Sequence, residues 1–120
     1  MQSDMYRVRK TLEFSASHRL YFSGPGVWEP LHGHNWKITV WCESETLDAD
    51  GMVVDFLEIE RLLTDSLDHR DLNEVLPCNP STENLARWIG GRIPRCVRVD
   101  VVECEGSEAS WFAPDGSFVL

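Results

Sequence analysis

Between Tyr6 and His18 the side chains take turns: Tyr6, Val8, Lys10, Leu12, Phe14, Ala16 and His18 hold the even positions, while Arg7, Arg9, Thr11, Glu13 and Ser15 hold odd ones. A largely apolar row repeating every second residue is the mark of a strand with one buried face. After Leu20 the segment YFSGPGVWEPL carries two Gly and two Pro, which predicts a long ordered loop rather than a tight hairpin turn. Alternation then resumes, with His32, His34, Trp36, Ile38, Val40 and Cys42 on one parity and Asn35, Lys37, Thr39 and Glu43 on the other. This is a second strand.

A turn near Asp48–Gly51 leads into DFLEIERLLTDSLDH, where Phe56, Ile59, Leu63 and Leu67, with Leu62 beside them, recur at helical spacing. Asp55 followed by Glu58 resembles a capping box, with Asp in place of Ser or Thr. A second helix is expected from Ser81, burying Leu85, Trp88 and Ile89 and ending at Gly90 and Gly91. The run CVRVDVVEC alternates Val97, Val99, Val101 and Glu103 against Arg98, Asp100, Val102 and Cys104, a third strand. A fourth is expected over roughly Glu108 to Leu120, interrupted by the turn-like APDG. The order β-β-α-α-β-β predicts an α+β fold, without repeats or low-complexity tracts.

A chain of 120 residues with 42% hydrophobic and 26% charged residues suits one compact domain, residues 1–120. Its net charge of -9 opposes the electrostatic attraction that drives nucleic-acid binding, and no Lys/Arg cluster offsets it locally. No segment reaches signal-peptide or membrane-span length in apolar residues, so a cytoplasmic protein without a membrane partner is expected. Cys42, Cys78, Cys96 and Cys104 form no C-x-x-C pair and read as free thiols, mostly core filler.

Chemistry concentrates on the strand ends. His32 and His34 share a face, and an antiparallel pairing of the first two strands places His18 beside them. Three imidazoles with an open fourth position make a catalytic zinc site, whereas structural zinc has four protein ligands. H-x-H alone does not select a family, since cupin-type barrels also use it. His69, after Asp68, reads either as a surface imidazole at a helix C-terminus or as a proton shuttle tuned by its neighbour. Glu103 ends the apolar parity of its strand, which calls for an Arg partner within the fold or N–H donors from a flat heterocycle. Glu29 reads either as a solvated loop acid or, three residues from His32, as a group that reaches the substrate over the metal. Arg19, Lys37 and Arg70 are candidates for contacting phosphate.

Over nearly its full length the chain resembles the 6-pyruvoyltetrahydropterin and 6-carboxytetrahydropterin synthase family. The matching motifs are FSASHRL (Phe14 to Leu20), LHGHNW (Leu31 to Trp36), GMVVDF (Gly51 to Phe56), LDHRDLN (Leu67 to Asn73), PSTENLA (Pro80 to Ala86) and the strand ending at Glu103. The resemblance implies the tunnelling fold, with a four-stranded antiparallel sheet and two helices on one face, assembled as a trimer or a dimer of trimers. It also implies Zn2+ on His18, His32 and His34, a catalytic Asp68–His69 pair, and Glu103 as pterin anchor with Ser81 and Glu83 in substrate binding.

One departure bears on the reaction: the familiar synthases have a catalytic Cys four residues before H-G-H, where this chain has Trp28. The stretch Glu29-Pro30-Leu31-His32-Gly33-His34 is instead similar to a Glu-x-x-H-G-H subgroup. That resemblance implies a lyase with Glu29 as catalytic base, cleaving the side chain of 7,8-dihydroneopterin triphosphate to 6-hydroxymethyl-7,8-dihydropterin. The alternatives are the usual 6-pyruvoyl or 6-carboxy synthase reaction and a non-catalytic pterin- or zinc-binding protein. Ser81 replaces the family's usual Thr and keeps its hydroxyl.

Overall fold

A computed structural model describes residues 4–23 and 26–114. The chain runs through β1 (Tyr6–His18), β2 (His32–Ser44), α1 (Phe56–Leu67), β3 (Arg70–Asp71), α2 (Leu72–Val75), α3 (Thr82–Gly90), β4 (Cys96–Cys104) and β5 (Ser107–Phe112). The sheet order is β3-β1-β2-β4-β5. Every pairing is antiparallel except β1 with β3. The expected four strands and two long helices are present. The sheet nevertheless has five strands, because β3 adds a parallel edge too short to show a period. α2 is likewise a single turn. The fourth expected strand ends at Phe112, and its stretch over residues 115–120 lies outside the described residues.

The even residues of β1 and β2 and the odd residues of β4 face the helices. Phe14, Trp36, Ile38, Val40, Val99 and Val101 form one core with Ile59, Leu63 and Leu67 of α1, Leu72 of α2 and Leu85 and Ile89 of α3. α1 begins where Asp55 accepts the Leu57 N–H at 2.9 Å, as its capping signature requires. Phe56 departs from expectation at 44% exposed: as the first helical residue it precedes the stripe that meets the sheet. Trp88 is only partly buried, with the Arg92 guanidinium over its ring. Cys78 and Cys104 are exposed, so only Cys42 and, in part, Cys96 fill core space.

Gly90 does not end α3 by conformation. It is buried in the last turn, and a Cβ there would lie 2.3 Å from the Trp111 ring, so close packing demands glycine. Gly91 caps the helix at an ordinary right-handed φ of -72°.

On the opposite face Asp100 accepts hydrogen bonds from Trp41, Arg98 and Ser110. Burial pushes this carboxyl up, but the three donors and the Arg98 charge outweigh it and hold it below its ordinary 3.8. Because the folded value is depressed, the stabilisation is present above about pH 3.8 and disappears as pH falls through the folded value. Asp100→Ala should therefore cost about 1–2 kcal/mol at neutral pH, allowing for solvent screening. Urea unfolding of the two proteins should show the difference shrinking below pH 3.8.

β3 covers the outer edge of β1 only at Ala16 and Ser17. Among the described residues, no strand pairs with that edge from Tyr6 to Ser15. The molecule is elongated, 58 × 26 × 26 Å. Among the described residues no helix is long and apolar enough to cross a membrane.

Candidate metal centre

The loop after β1 continues the β1–β2 ribbon. The Glu29 N–H reaches the Leu20 carbonyl at 3.0 Å and the Phe22 N–H the Val27 carbonyl at 2.8 Å, with Tyr21 bridged to Trp28. Two side-chain amides hold its first strand from outside. Asn73 accepts the Arg19 N–H at 2.8 Å and donates to the Arg19 carbonyl at 2.9 Å. Asn79 pairs with the N–H and carbonyl of Tyr21 in the same way. Each amide replaces a neighbouring strand for the backbone of Arg19 and Tyr21, which flank the Leu20 partner of Glu29. Glu29 is thereby fixed, its Oε1 also accepting the Leu20 N–H at 2.9 Å.

His18 and His32 are register partners, and their Nε2 atoms are 3.1 Å apart. Nδ1 of His18 is 2.8 Å from the Pro80 carbonyl, and Nδ1 of His32 is 2.9 Å from the Pro30 carbonyl. A carbonyl only accepts, so both Nδ1 atoms carry the proton and both Nε2 atoms present lone pairs when the rings are neutral. Two lone pairs at that separation require a shared proton or a cation. This is the backing that metal-binding imidazoles need, with the ligand nitrogen selected by the bond at the other.

His34 completes the set. Its Nε2 is buried without a hydrogen bond and is 3.1 Å from Glu103 Oε1, a close approach lacking hydrogen-bond geometry. Burial holds this imidazole below its ordinary 6.5, against the pull of Glu103. Neutral imidazole is the metal-binding form. His18, His32, His34 and Glu103 each offer one ligand atom, all within 4.8 Å of one another. The orphaned nitrogen, facing lone pairs and mixed N/O donors fit a divalent transition metal.

Glu103 owes its position to a bulge. β4 pairs Val102 with Glu108 and Cys104 with Ser107 of β5, leaving Glu103 as the extra residue. Its other oxygen, Oε2, accepts from the Thr82 hydroxyl at 2.8 Å. Among the described residues no Arg pairs with it, and Oε1 has no hydrogen bond. Thr82 escaped the sequence reading. The signal was a surplus: a helix start needs one hydroxyl for its cap, Ser81 supplies it to the Asn84 N–H at 3.1 Å, and a second hydroxyl stood beside it. Glu83, in the same turn, is exposed. Glu29 Oε1 approaches the cluster from the loop side, 4.0 Å from His18 Nε2 and 3.9 Å from His32 Nε2.

Asp68 and His69 stand apart from the imidazoles. Asp68 caps α1 and accepts the Ser15 N–H at 3.0 Å, three residues before His18 and so roughly 10 Å along β1. That bond holds the carboxyl below its ordinary 3.8, against burial and with help from His69, whose Nδ1 is 3.0 Å away. His69 has a left-handed φ of 59° and an 82% exposed side chain. A cavity of ≈ 510 Å³ is bordered by both His34 and His69, with Ser15, Ser17, Asn35 and Arg70 between them. Lys37 and Arg19 lie off this cavity, and Arg19 is 5.9 Å from the Trp28 ring.

The fold is a mixed sheet with helices on one face, three convergent imidazoles and an acid that could hold a metal, and a cavity beside them. The chain belongs to the 6-pyruvoyl tetrahydropterin synthase family, whose sequence pattern matches residues 7–114. It is 37% identical over 98 residues to dihydroneopterin monophosphate aldolase of Pyrococcus furiosus, covering 79% of this chain and 81% of that protein. It is 32% identical over 124 residues to 6-carboxy-5,6,7,8-tetrahydropterin synthase of Synechocystis, covering 92% and 95%. Its fold is similar to Caenorhabditis elegans 6-pyruvoyl tetrahydropterin synthase, with a TM-score of 0.71, 20% identity, and 94% and 99% of the chains covered.

Proposed function

We propose that the chain is a zinc-dependent lyase that breaks a carbon–carbon bond in the side chain of a 7,8-dihydroneopterin phosphate and releases 6-hydroxymethyl-7,8-dihydropterin. The observation that carries this reading is Glu29, a carboxylate fixed about 4 Å from two ligand nitrogens in a loop with Trp28, not Cys, beside it. The similarity to a dihydroneopterin monophosphate aldolase supports it.

Nε2 of His18, His32 and His34 would hold the zinc, which supplies Lewis-acid polarisation of the side-chain hydroxyls. Glu29 takes the proton from the hydroxyl on the second side-chain carbon. The bond between the first and second carbons breaks, its electron pair passes to the pterin ring, and the phosphate-bearing fragment leaves as an aldehyde. The first carbon then gains a proton through the Asp68–His69 pair. Glu103 accepts N–H groups of the ring and orients it, with Ser81 and Glu83 setting the start of α3 around it.

The exposed His69 and the open β1 edge support a homo-oligomer, a trimer or a dimer of trimers, with His69 at the boundary between subunits. The test is incubation of zinc-loaded protein with dihydroneopterin monophosphate and triphosphate, followed by product analysis. 6-Hydroxymethyl-7,8-dihydropterin is the expected product from at least one. Formation of a 6-carboxy- or 6-pyruvoyl-tetrahydropterin would assign the synthase reaction instead. Bound pterin without turnover would leave a binding protein.

A further inference from the structure

The cluster contains one more ligand atom than an open catalytic site requires. A tetrahedral zinc with bonds of about 2.0–2.2 Å separates its ligand atoms by roughly 3.4 Å. The His18–His32 and His34–Glu103 separations are both 3.1 Å, and no pair among the four atoms exceeds 4.8 Å. Glu29 is the other nearby acid, but its oxygen stands 3.9–4.0 Å from two of the nitrogens and is already engaged by the Leu20 N–H. The two carboxylates are therefore not equivalent. Glu103 points its uncommitted oxygen at the orphaned His34 nitrogen, while Thr82 steadies the other oxygen.

We infer that Glu103 is the fourth zinc ligand of the resting protein and is displaced from the metal when a pterin ring arrives. The inference rests on the proposed pterin chemistry and assigns this side chain two successive positions. The bulge permits the movement: Glu103 has no ladder partner in β5, so its side chain can turn without breaking strand pairing. A flat ring with two parallel N–H donors engages both carboxylate oxygens at once, which draws Oε1 off the metal. Binding of the ring thus opens the metal to the side-chain hydroxyl of the same molecule. A ligand with hydroxyls but no ring leaves Glu103 in place, so ring recognition becomes a condition for access to the zinc. The resting site keeps four protein ligands and excludes water from the metal.

Zinc affinity measured by competition with a chromophoric chelator tests the first position. Glu103→Gln, which preserves shape and can keep a hydrogen bond with Thr82, should raise the zinc Kd by at least about 100-fold, beyond the 10–100-fold that outer partners of a metal site contribute. Glu29→Gln should leave it within a factor of about 2, well below what even an outer partner contributes. An unchanged Kd in Glu103→Gln, or a loss confined to Glu29→Gln, overturns the inference. The second position is read on the unmodified protein loaded with cobalt(II). Its visible bands should change when neopterin binds and stay unchanged with glycerol, which has hydroxyls but no ring. Neopterin binding, followed by quenching of its fluorescence, without a change in the cobalt bands overturns the displacement. Cleavage of dihydroneopterin phosphate alongside an unaltered zinc Kd would sink this inference alone. Altered zinc affinity without cleavage would sink the lyase reading alone.

Discussion

Glu29→Gln should lower turnover of dihydroneopterin phosphate by about 10²–10⁴-fold, the usual contribution of a positioned general base, with zinc content unchanged. The substitution keeps an oxygen to accept the Leu20 N–H, so the loop geometry at 2.9 Å survives while the proton acceptor is lost. Steady-state kinetics with parallel metal analysis of the same preparation checks both halves. Turnover within threefold of the parent would remove Glu29 from the proton-transfer step. Loss of zinc with loss of turnover would move Glu29 from the chemistry into the metal site.

The second large effect separates ligation from packing. His18→Ala and His32→Ala should each weaken zinc binding by at least about 100-fold, beyond the 10–100-fold that outer partners of a metal site contribute. Their effects on the metal-free protein should differ. His18 is 1% exposed, hydrogen-bonded to the Pro80 carbonyl and packed edge-on against Trp36, so its truncation should destabilise the apo-protein by about 1–3 kcal/mol. The His32 side chain is 38% exposed and should cost only a few tenths of a kcal/mol. Urea unfolding in the presence of chelator gives these values. Equal stability losses would mean that His32 has a packing role its exposure does not reveal.

The strands bearing the imidazoles were legible because their period is local: parity alone put His32 and His34 on the face of Trp36, and antiparallel pairing brought His18 opposite His32. α1 was legible down to its Asp55 cap, because a cap and an apolar stripe are both short-range signals. β3 and α2 were not, since two and four residues are too few for a period. Gly90 shows a different limit. Its reason for being glycine is the Trp111 ring, twenty-one positions away in sequence and visible only after β5 folds onto α3. The amide pairings of Asn73 and Asn79 with β1's extension also arise from tertiary contact, and no local pattern in DLN or CNP announces them. Asp68–His69 was visible as a pair, but its distance from the imidazoles emerged only when Asp68 was found bonded to Ser15.

The long uncovered side of β1 has a consequence for how this protein melts. Between Tyr6 and Glu13 alternate backbone groups of β1 face outward with no strand against them among the described residues, a weak margin for a solitary chain and a strong one for a chain that finds its own copy. Where a second copy supplies those bonds, folding and association become a single equilibrium, and the unfolding midpoint climbs as the solution is concentrated. Thermal stability then belongs to a protein concentration as much as to a sequence.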